Sequence, residues 1–334
     1  MRRRLEPNRR EFLKACVGGA ALLGTAGNTS GIPPNLFPNE KSKVVIARDA
    51  YLREKGTSMD SERLLKLLDR CIQTTYDSDS PQQAWKNVVH PGEVVGLKVN
   101  GLAGRGISTN VLLVELICER LREAGIPAKN IIVWDRLESD LESAGFRVTS
   151  NSDRIRFIGN DTTGYEDDLS VYGSVGSRLA ITLTQMCDAV INLPVLKDHS
   201  IAGVSMALKN FLGAIHNPNK YHLNVCDPYV ADVNMLPPIR QKVRLHICDA
   251  TTAQYEGGPS YMPQWAWPEN GLLVSRDPVA LDYVGWQIIE RKRAEKGMKP
   301  LKVMKREPSY IATAADSQHR LGTNDPAKID QVVI

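Results

Sequence analysis

The stretch from Asp188 to His222, DAVINLPVLKDHSIAGVSMALKNFLGAIHNPNKYH, carries the densest set of reactive side chains in the 334-residue chain. Three of the six histidines, His199, His216 and His222, fall within 24 residues of each other there, so the segment is the first place to look for proton transfer. Histidine changes charge near neutral pH and suits acid–base work. Lysine supplies an ammonium that can anchor an anion. His199 and Lys209 are therefore candidate catalytic residues, with Lys197 and Asn210 as candidate ligand contacts. A second group comprises Asp249, Glu256, Gly257 and Gly258. Its two carboxylates, taken with His216 and His222, would suit a divalent metal bound by nitrogen and oxygen. Gly257 and Gly258 would let backbone approach a ligand closely. Lys98 and Asn100 close another apolar run and are candidates to line the same cleft. The Gly101–Gly106 loop could hold an anion on its N–H groups. The same residues also admit a structural account, in which polar loops cap strands, Lys209 complements a helix C-terminus and Glu256 is a solvated acid.

Positioning these residues requires a sheet. Apolar, β-rich runs at 43–48, 94–99, 131–134, 155–158, 189–193, 243–248 and 272–275 read as strands, several of them apolar on both faces. Helical periodicity marks 61–76, 110–124, 137–144, 178–186, 202–212 and 278–296. Asp277 before Pro278 is a cap-and-proline helix start, and Gly125 with Pro127 is a helix stop. The alternation predicts an α/β fold, Rossmann-like, with a mostly parallel sheet covered by helices and a length that also allows two lobes. In such sheets ligands bind outside the carboxyl ends of the strands, where the polar residues after Leu193 would fall. Residues 151–176 and 217–238 read as long loops, and the aromatic stretch Tyr261–Trp267 as a lid or a cover over the core.

The N-terminus has a different logic. Five arginines and one lysine occupy the first 14 residues, including the pair Arg9-Arg10 before Glu11-Phe12-Leu13-Lys14. A run of about 12 apolar residues follows, too short for the ~20 that a membrane span needs. A basic head, a short apolar core and a small-residue exit make an export signal over residues 1–30, with residues 31–42 as a disordered leader and 43–334 as the α/β domain. The paired arginine resembles the twin-arginine consensus, which implies the twin-arginine translocase as a partner during export, a periplasmic or otherwise exported location and no permanent membrane span. Residues 1–27 hold six basic and two acidic residues, an excess that equals the whole-chain charge of +4. The remainder is near neutral, which removes any argument from bulk charge for nucleic acid, leaving a small molecule as the expected ligand. The five later cysteines, Cys71, Cys118, Cys187, Cys226 and Cys248, form no CxxC or ferredoxin run, so no iron–sulfur cluster is expected. No Ser-His-Asp triad signature, HExxH or P-loop is present.

The strings VGLKVN (95–100), NLPVLKDHSIAGVSMALKNFLG (192–213), DATTAQYEGGPS (249–260), LLVSRDPVALD (272–282) and LGTNDPAKID (321–330) closely resemble the family catalogued as domain of unknown function 362. That resemblance implies the fold but no settled activity. A more distant likeness is to lactate racemases that use a nickel-pincer nucleotide, in which a histidine is followed ten residues on by a lysine that tethers the cofactor. His199 and Lys209 have this spacing, and His222 follows. The glycine-rich context of that lysine is replaced here by Met206-Ala207-Leu208, and Asp135-Arg136 stands where the racemases have a His-Arg pair. The likeness thus implies a shared fold and site location, not the nickel cofactor. Three functions remain: an exported enzyme or cofactor protein with His199 as acid–base group, a non-catalytic binding or assembly factor, and a structural interaction protein.

Overall fold

A computed structural model describes residues 41–53 and 58–334. Residues 1–30, read from sequence as an export signal, and residues 31–40, read as part of a leader, lie outside the described residues. Ser42, expected as the end of the leader, is already buried and starts the first strand.

In chain order the strands are β1 (Ser42–Arg48), β2 (Val95–Lys98), β3 (Ile131–Asp135), β4 (Arg156–Gly159), β5 (Ser170–Tyr172), β6 (Val175–Ser177), β7 (Ala189–Asn192), β8 (Val195–His199), β9 (Gly203–Val204), β10 (Val243–Gln254), β11 (Ala266–Trp267), β12 (Gly271–Ser275) and β13 (Ile329–Val333). β5 and β6 form a separate hairpin, and the other eleven share one sheet. Its main path runs β13-β1-β12-β10-β7-β2-β3-β4, with β8 and β11 added to β10 and β9 to β8. β10, β7, β2, β3 and β4 are mutually parallel, and β12 pairs antiparallel with β1 and β10. The fold is thus α/β with a mixed, mostly parallel sheet. The second lobe that the length allowed is not seen among the described residues. Apolar side chains pack on both faces of the sheet, as two hydrophobic clusters, so β2 and β7 are buried along their whole length.

Local chemistry sets the helices. Ser61–Tyr76 buries Leu64, Leu67, Leu68, Cys71, Ile72 and Thr75, an apolar stripe at three- and four-residue spacing, while Asp60 accepts the N–H groups of Glu62 and Arg63 as its cap. Asp277 caps Pro278–Glu295 through Val279 N and Ala280 N, as its sequence context predicts. Two helix expectations fail. The apolar pattern at 202–212 resolves into β9, a four-residue helix Ala207–Asn210 and a 3-10 turn Phe211–Ala214. The pattern at 178–186 leaves only a short π turn, Thr182–Met186. The 202–212 segment is buried on nearly every side, and apolar residues in such a segment carry no period to separate strand from helix. The segment 217–238, read as loop, contains the helix Tyr229–Met235. Among the described residues no helix is long and apolar enough to cross a membrane.

The connections around β2 and β7 create a crevice. After β2 the chain runs to the helix Val111–Glu123, whose apolar face packs in one cluster. After β7 and β8 it runs to Met206–Phe211, which packs in the other. Neighbouring parallel strands whose connections leave to opposite faces open a gap at their carboxyl ends.

Candidate functional site

A cleft of about 460 Å³ opens at that gap. Lys98, Asp135 and His199 are the last residues of β2, β3 and β8, and all three line it. Asn100, Arg136, Asp140, Lys197, Lys209, Asn210 and His222 are among its other polar lining residues. Leu102 and Ile201, both largely exposed, add apolar surface.

The lysines differ in company. Lys98 Nζ is 2.7 Å from Asp135 Oδ1 and donates to the Val99 carbonyl at 2.7 Å, with the ring of Trp134 5.5 Å away. Asp135 Oδ2 accepts Gly101 N at 2.7 Å. The 101–106 loop, a candidate cradle for a ligand anion, therefore directs this N–H to the protein's own carboxylate. Lys197, 0% exposed, donates only to neutral acceptors, Asn100 Oδ1 at 2.9 Å and the Ile107 carbonyl at 3.2 Å. Burial, with repulsion from Lys209, lowers its pKa to about 7 despite the nearby Asp135 and Asp198 charges. Lys209 Nζ lies 3.1 Å from His222 Nε2, and burial lowers its pKa to about 8. Neither lysine forms an ion pair with a carboxylate of the described residues.

The histidine tautomers follow from the hydrogen bonds. His199 Nδ1 accepts Ile201 N and Ala202 N, both at 3.1 Å, so the proton of the neutral ring sits on Nε2. Burial first, then Lys209 and His222, push its pKa down to about 2. His222 Nδ1 donates to the Pro218 carbonyl at 3.2 Å, which leaves Nε2 to accept from Lys209. The two rings lie 5.6 Å apart, centroid to centroid. An amide chain fixes the floor: Asn100 Nδ2 donates to Asn210 Oδ1 at 3.1 Å, Asn210 Nδ2 to Asn192 Oδ1 at 2.8 Å, and Asn192 Nδ2 approaches His246 Nδ1 at 3.0 Å. Gly213 sits close above it: a Cβ there would stand 3.0 Å from both Lys98 Nζ and Asp135 Oδ1, a tight approach that would press on that pair.

The backing is carried by residues that sequence reasoning missed or assigned elsewhere. Alternation along β8 turns Lys197 and His199 to the cleft and Asp198 away from it. Asp198 Oδ1 accepts Gly258 N at 2.8 Å, Arg306 stands 3.6 Å from its other oxygen, and burial raises its pKa to about 6. Asp282, from the Pro278–Glu295 helix, accepts Ala207 N at 2.7 Å and Leu208 N at 3.0 Å and so caps the short helix bearing Lys209. Burial pushes the Asp282 carboxyl up to about 8, against the pull of those two N–H donors. Asp282 closes the string 272–282, but sequence spacing does not reveal its capping role, since its partners lie 74 and 75 residues away.

The metal set does not assemble. Asp249 is buried within β10, where it accepts Asn110 N at 2.7 Å and the N–H and hydroxyl of Thr251. Glu256 is ion-paired with Arg293 and Arg306, which hold its carboxyl below the usual range against burial. His216 packs edge-on against Tyr165, and only His222 of the four reaches the cleft. Among the described residues no group of three or more His, Cys, Asp or Glu could hold a metal ion. Gly257 and Gly258 are also redirected. A Cβ on Gly258 would meet the Asp198 carbonyl at 2.1 Å and one on Gly257 the Trp265 ring at 2.5 Å, so protein, not ligand, requires these glycines. The aromatic stretch takes the covering role: Tyr261 lies over Gly106, where a Cβ would meet its ring at 2.1 Å.

The family described as a domain of unknown function, DUF362, matches residues 95–287, more than half of the chain. The chain belongs to this family. Every residue lining the cleft falls inside the DUF362 match. A crystal structure of a Thermotoga maritima protein, solved as a structural-genomics target, is similar over 73% of this chain and 60% of that one, with 10% identity and a TM-score of 0.42. The DUF362 chain thus spans less than two thirds of that protein's length. No curated protein matches.

Proposed function

We propose that the cleft binds a small organic anion and is the working site of an exported enzyme or cofactor protein. The observation that carries this reading is the pair Lys197, fully buried, and Lys209, half-buried, two lysines in one cleft that form no ion pair with a carboxylate of the described residues. An unpaired buried ammonium is costly, and a bound carboxylate or phosphate would offset that cost. Lys209 is the anchor and His199 the group placed for proton transfer. An anionic occupant would cancel the repulsion from Lys209 and Lys197, so the His199 imidazole becomes more basic once the ligand is in place. The cationic surroundings of His199 and His222 favour an anion over a free divalent cation.

Calorimetry with a panel of carboxylates and phosphates on the full chain tests the binding. Wild type should bind at least one of them, and the Lys197→Met/Lys209→Met variant should lose that binding. Equal affinity in both proteins would refute the reading. Turnover of the bound anion separates an enzyme from a binding factor. We further propose export by the twin-arginine route, on the strength of Arg9-Arg10 and the apolar run behind them. Lys substitution of both arginines should hold the protein in the cytoplasm, and undiminished export would exclude that route.

A further inference from the structure

We propose that Lys197 forms an imine with the carbonyl carbon of a 2-oxo acid held in the cleft; this deepens the anion-binding reading and rests on it. The Lys197 nitrogen has two acceptors, Asn100 Oδ1 at 2.9 Å and the Ile107 carbonyl at 3.2 Å. Both are neutral, and they match the two N–H bonds of a free amine. A third N–H, which only the ammonium carries, finds no acceptor among the described residues, and these contacts leave the lone pair of the amine unengaged. Lys98, on the same cleft, shows the contrast, because it is ion-paired with Asp135 at 2.7 Å and has no lone pair to offer. Burial of Lys197 beside a second cation acts in the same direction, lowering its pKa to about 7, and is a known way to make a lysine nucleophilic.

The neighbours fit the rest of the molecule. The Lys209 ammonium on the cleft wall supplies charge for the carboxylate, and the Arg136 guanidinium, 3.9 Å from Asp140 on the same wall, stands nearby. His199 lies two residues along the same face of β8, about 6.6 Å from Lys197 by strand rise, and its Nε2–H is a donor for the carbonyl oxygen. In the step, the Lys197 nitrogen attacks the carbonyl carbon and a C–N bond forms. The C=O π pair moves to oxygen. The oxygen collects the two N–H protons and leaves as water as the C=N bond closes. No oxidant or reductant is consumed.

Reductive trapping tests the proposal. The full chain is incubated with cyanoborohydride and, separately, glyoxylate, pyruvate or 2-oxoglutarate, then analysed by intact mass and peptide mapping. One reduced adduct is expected, on the peptide bearing Lys197. At pH 7.5 it should form at least ~10-fold faster than adducts on exposed lysines, whose amines are almost wholly protonated there. Lys197→Arg should not trap, and Lys209→Met should trap only at higher oxo-acid concentration. No adduct with any of the three acids, or adducts spread over surface lysines, would overturn the imine. Calorimetry with propionate and glutarate, which lack the carbonyl, keeps the two readings apart. If these anions bind and nothing traps, the imine fails and the anion site stands. If the whole anion panel fails to bind as well, both fail.

Discussion

A lysine that loses water without gaining a carboxylate holds its proton weakly, and this cleft contains one such residue that is fully buried, Lys197, and one that is half-buried, Lys209. Lys209 titrates at about 8 and Lys197 at about 7, so both are charged at pH 6 and largely neutral by pH 9. Anion affinity should therefore fall as pH rises across that interval, as calorimetry at fixed ionic strength would show. Lys209→Met removes a charged hydrogen-bond donor worth about 1.5–3 kcal/mol, roughly 10–100-fold in Kd. The same substitution leaves an apolar chain where a half-buried ammonium stood with no carboxylate partner, so the unliganded variant should unfold in urea close to wild type. A variant that loses stability but keeps affinity would mark Lys209 as structural. At this scale the sequence was informative about location: His199, Lys209, Lys98, Asn100, Lys197, Asn210 and His222 line one cleft, because polar residues after an apolar strand collect at its carboxyl end. Asp249 and Glu256 mislead because an acid near a glycine turn reads the same whether it faces a ligand or, as here, Thr251 and two arginines.

At the scale of elements, the Lys209 helix is only four residues long, Ala207–Asn210, too short to persist on its own. Its first two N–H groups are held by Asp282 from a helix some 75 residues away in sequence. Asp282→Ala leaves two buried donors, each costing about 1–3 kcal/mol, so several kcal/mol should be lost in urea unfolding. Asp282→Asn keeps one acceptor and should lose less, with anion affinity falling in the same order, Asp, Asn, Ala. If Asp282→Ala binds the anion as wild type does, Asp282 does not position Lys209. The sequence shows why such a device escapes notice. β2, β3 and β7 are legible as apolar runs that each close on one polar residue, Lys98, Asp135 and Asn192, but β8 reads Val-Leu-Lys-Asp-His and looks like a loop, although all five residues are buried. Burial of Lys197, Asp198 and His199 is made tolerable by Asn100, Gly258 and the backbone of 201–202, contacts that tertiary structure alone creates.

For the whole molecule, stability depends on pH through groups far apart in sequence. His319 lies between Asp232, 2.9 Å from Nε2, and Asp316, 2.9 Å from Nδ1, while Asp232 also accepts Ser174 N and its hydroxyl. This latch joins the β5–β6 turn, the Tyr229–Met235 helix and the C-terminal segment. Burial works against a charged His319, but the two carboxylates outweigh it and its pKa is raised. Burial likewise opposes the Asp232 charge, and the His319 and Ser174 hydrogen bonds overcome it, so that pKa is lowered. A raised histidine contributes fully below its unfolded pKa of about 6.5 and is lost as pH climbs through the folded value. A lowered aspartate contributes above its unfolded value of about 3.9 and is lost as pH falls. The latch is therefore strongest at about pH 4–6.5. Lys197 acts in the opposite sense. Its pKa falls from about 10.5 to about 7 on folding, so the unfolded chain binds the extra proton between those values and stability rises with pH there. Urea unfolding of wild type, His319→Gln and Lys197→Met from pH 5 to 9.5 resolves the two. The deficit of His319→Gln should be largest near pH 5.5 and shrink above pH 7. The advantage of Lys197→Met over wild type should be largest below pH 7 and shrink toward pH 9.5. A His319→Gln deficit that stays constant across the range would mean that the residue contributes by packing rather than charge. A flat Lys197→Met difference would mean that Lys197 keeps its proton in the folded chain and has no lone pair for a ligand.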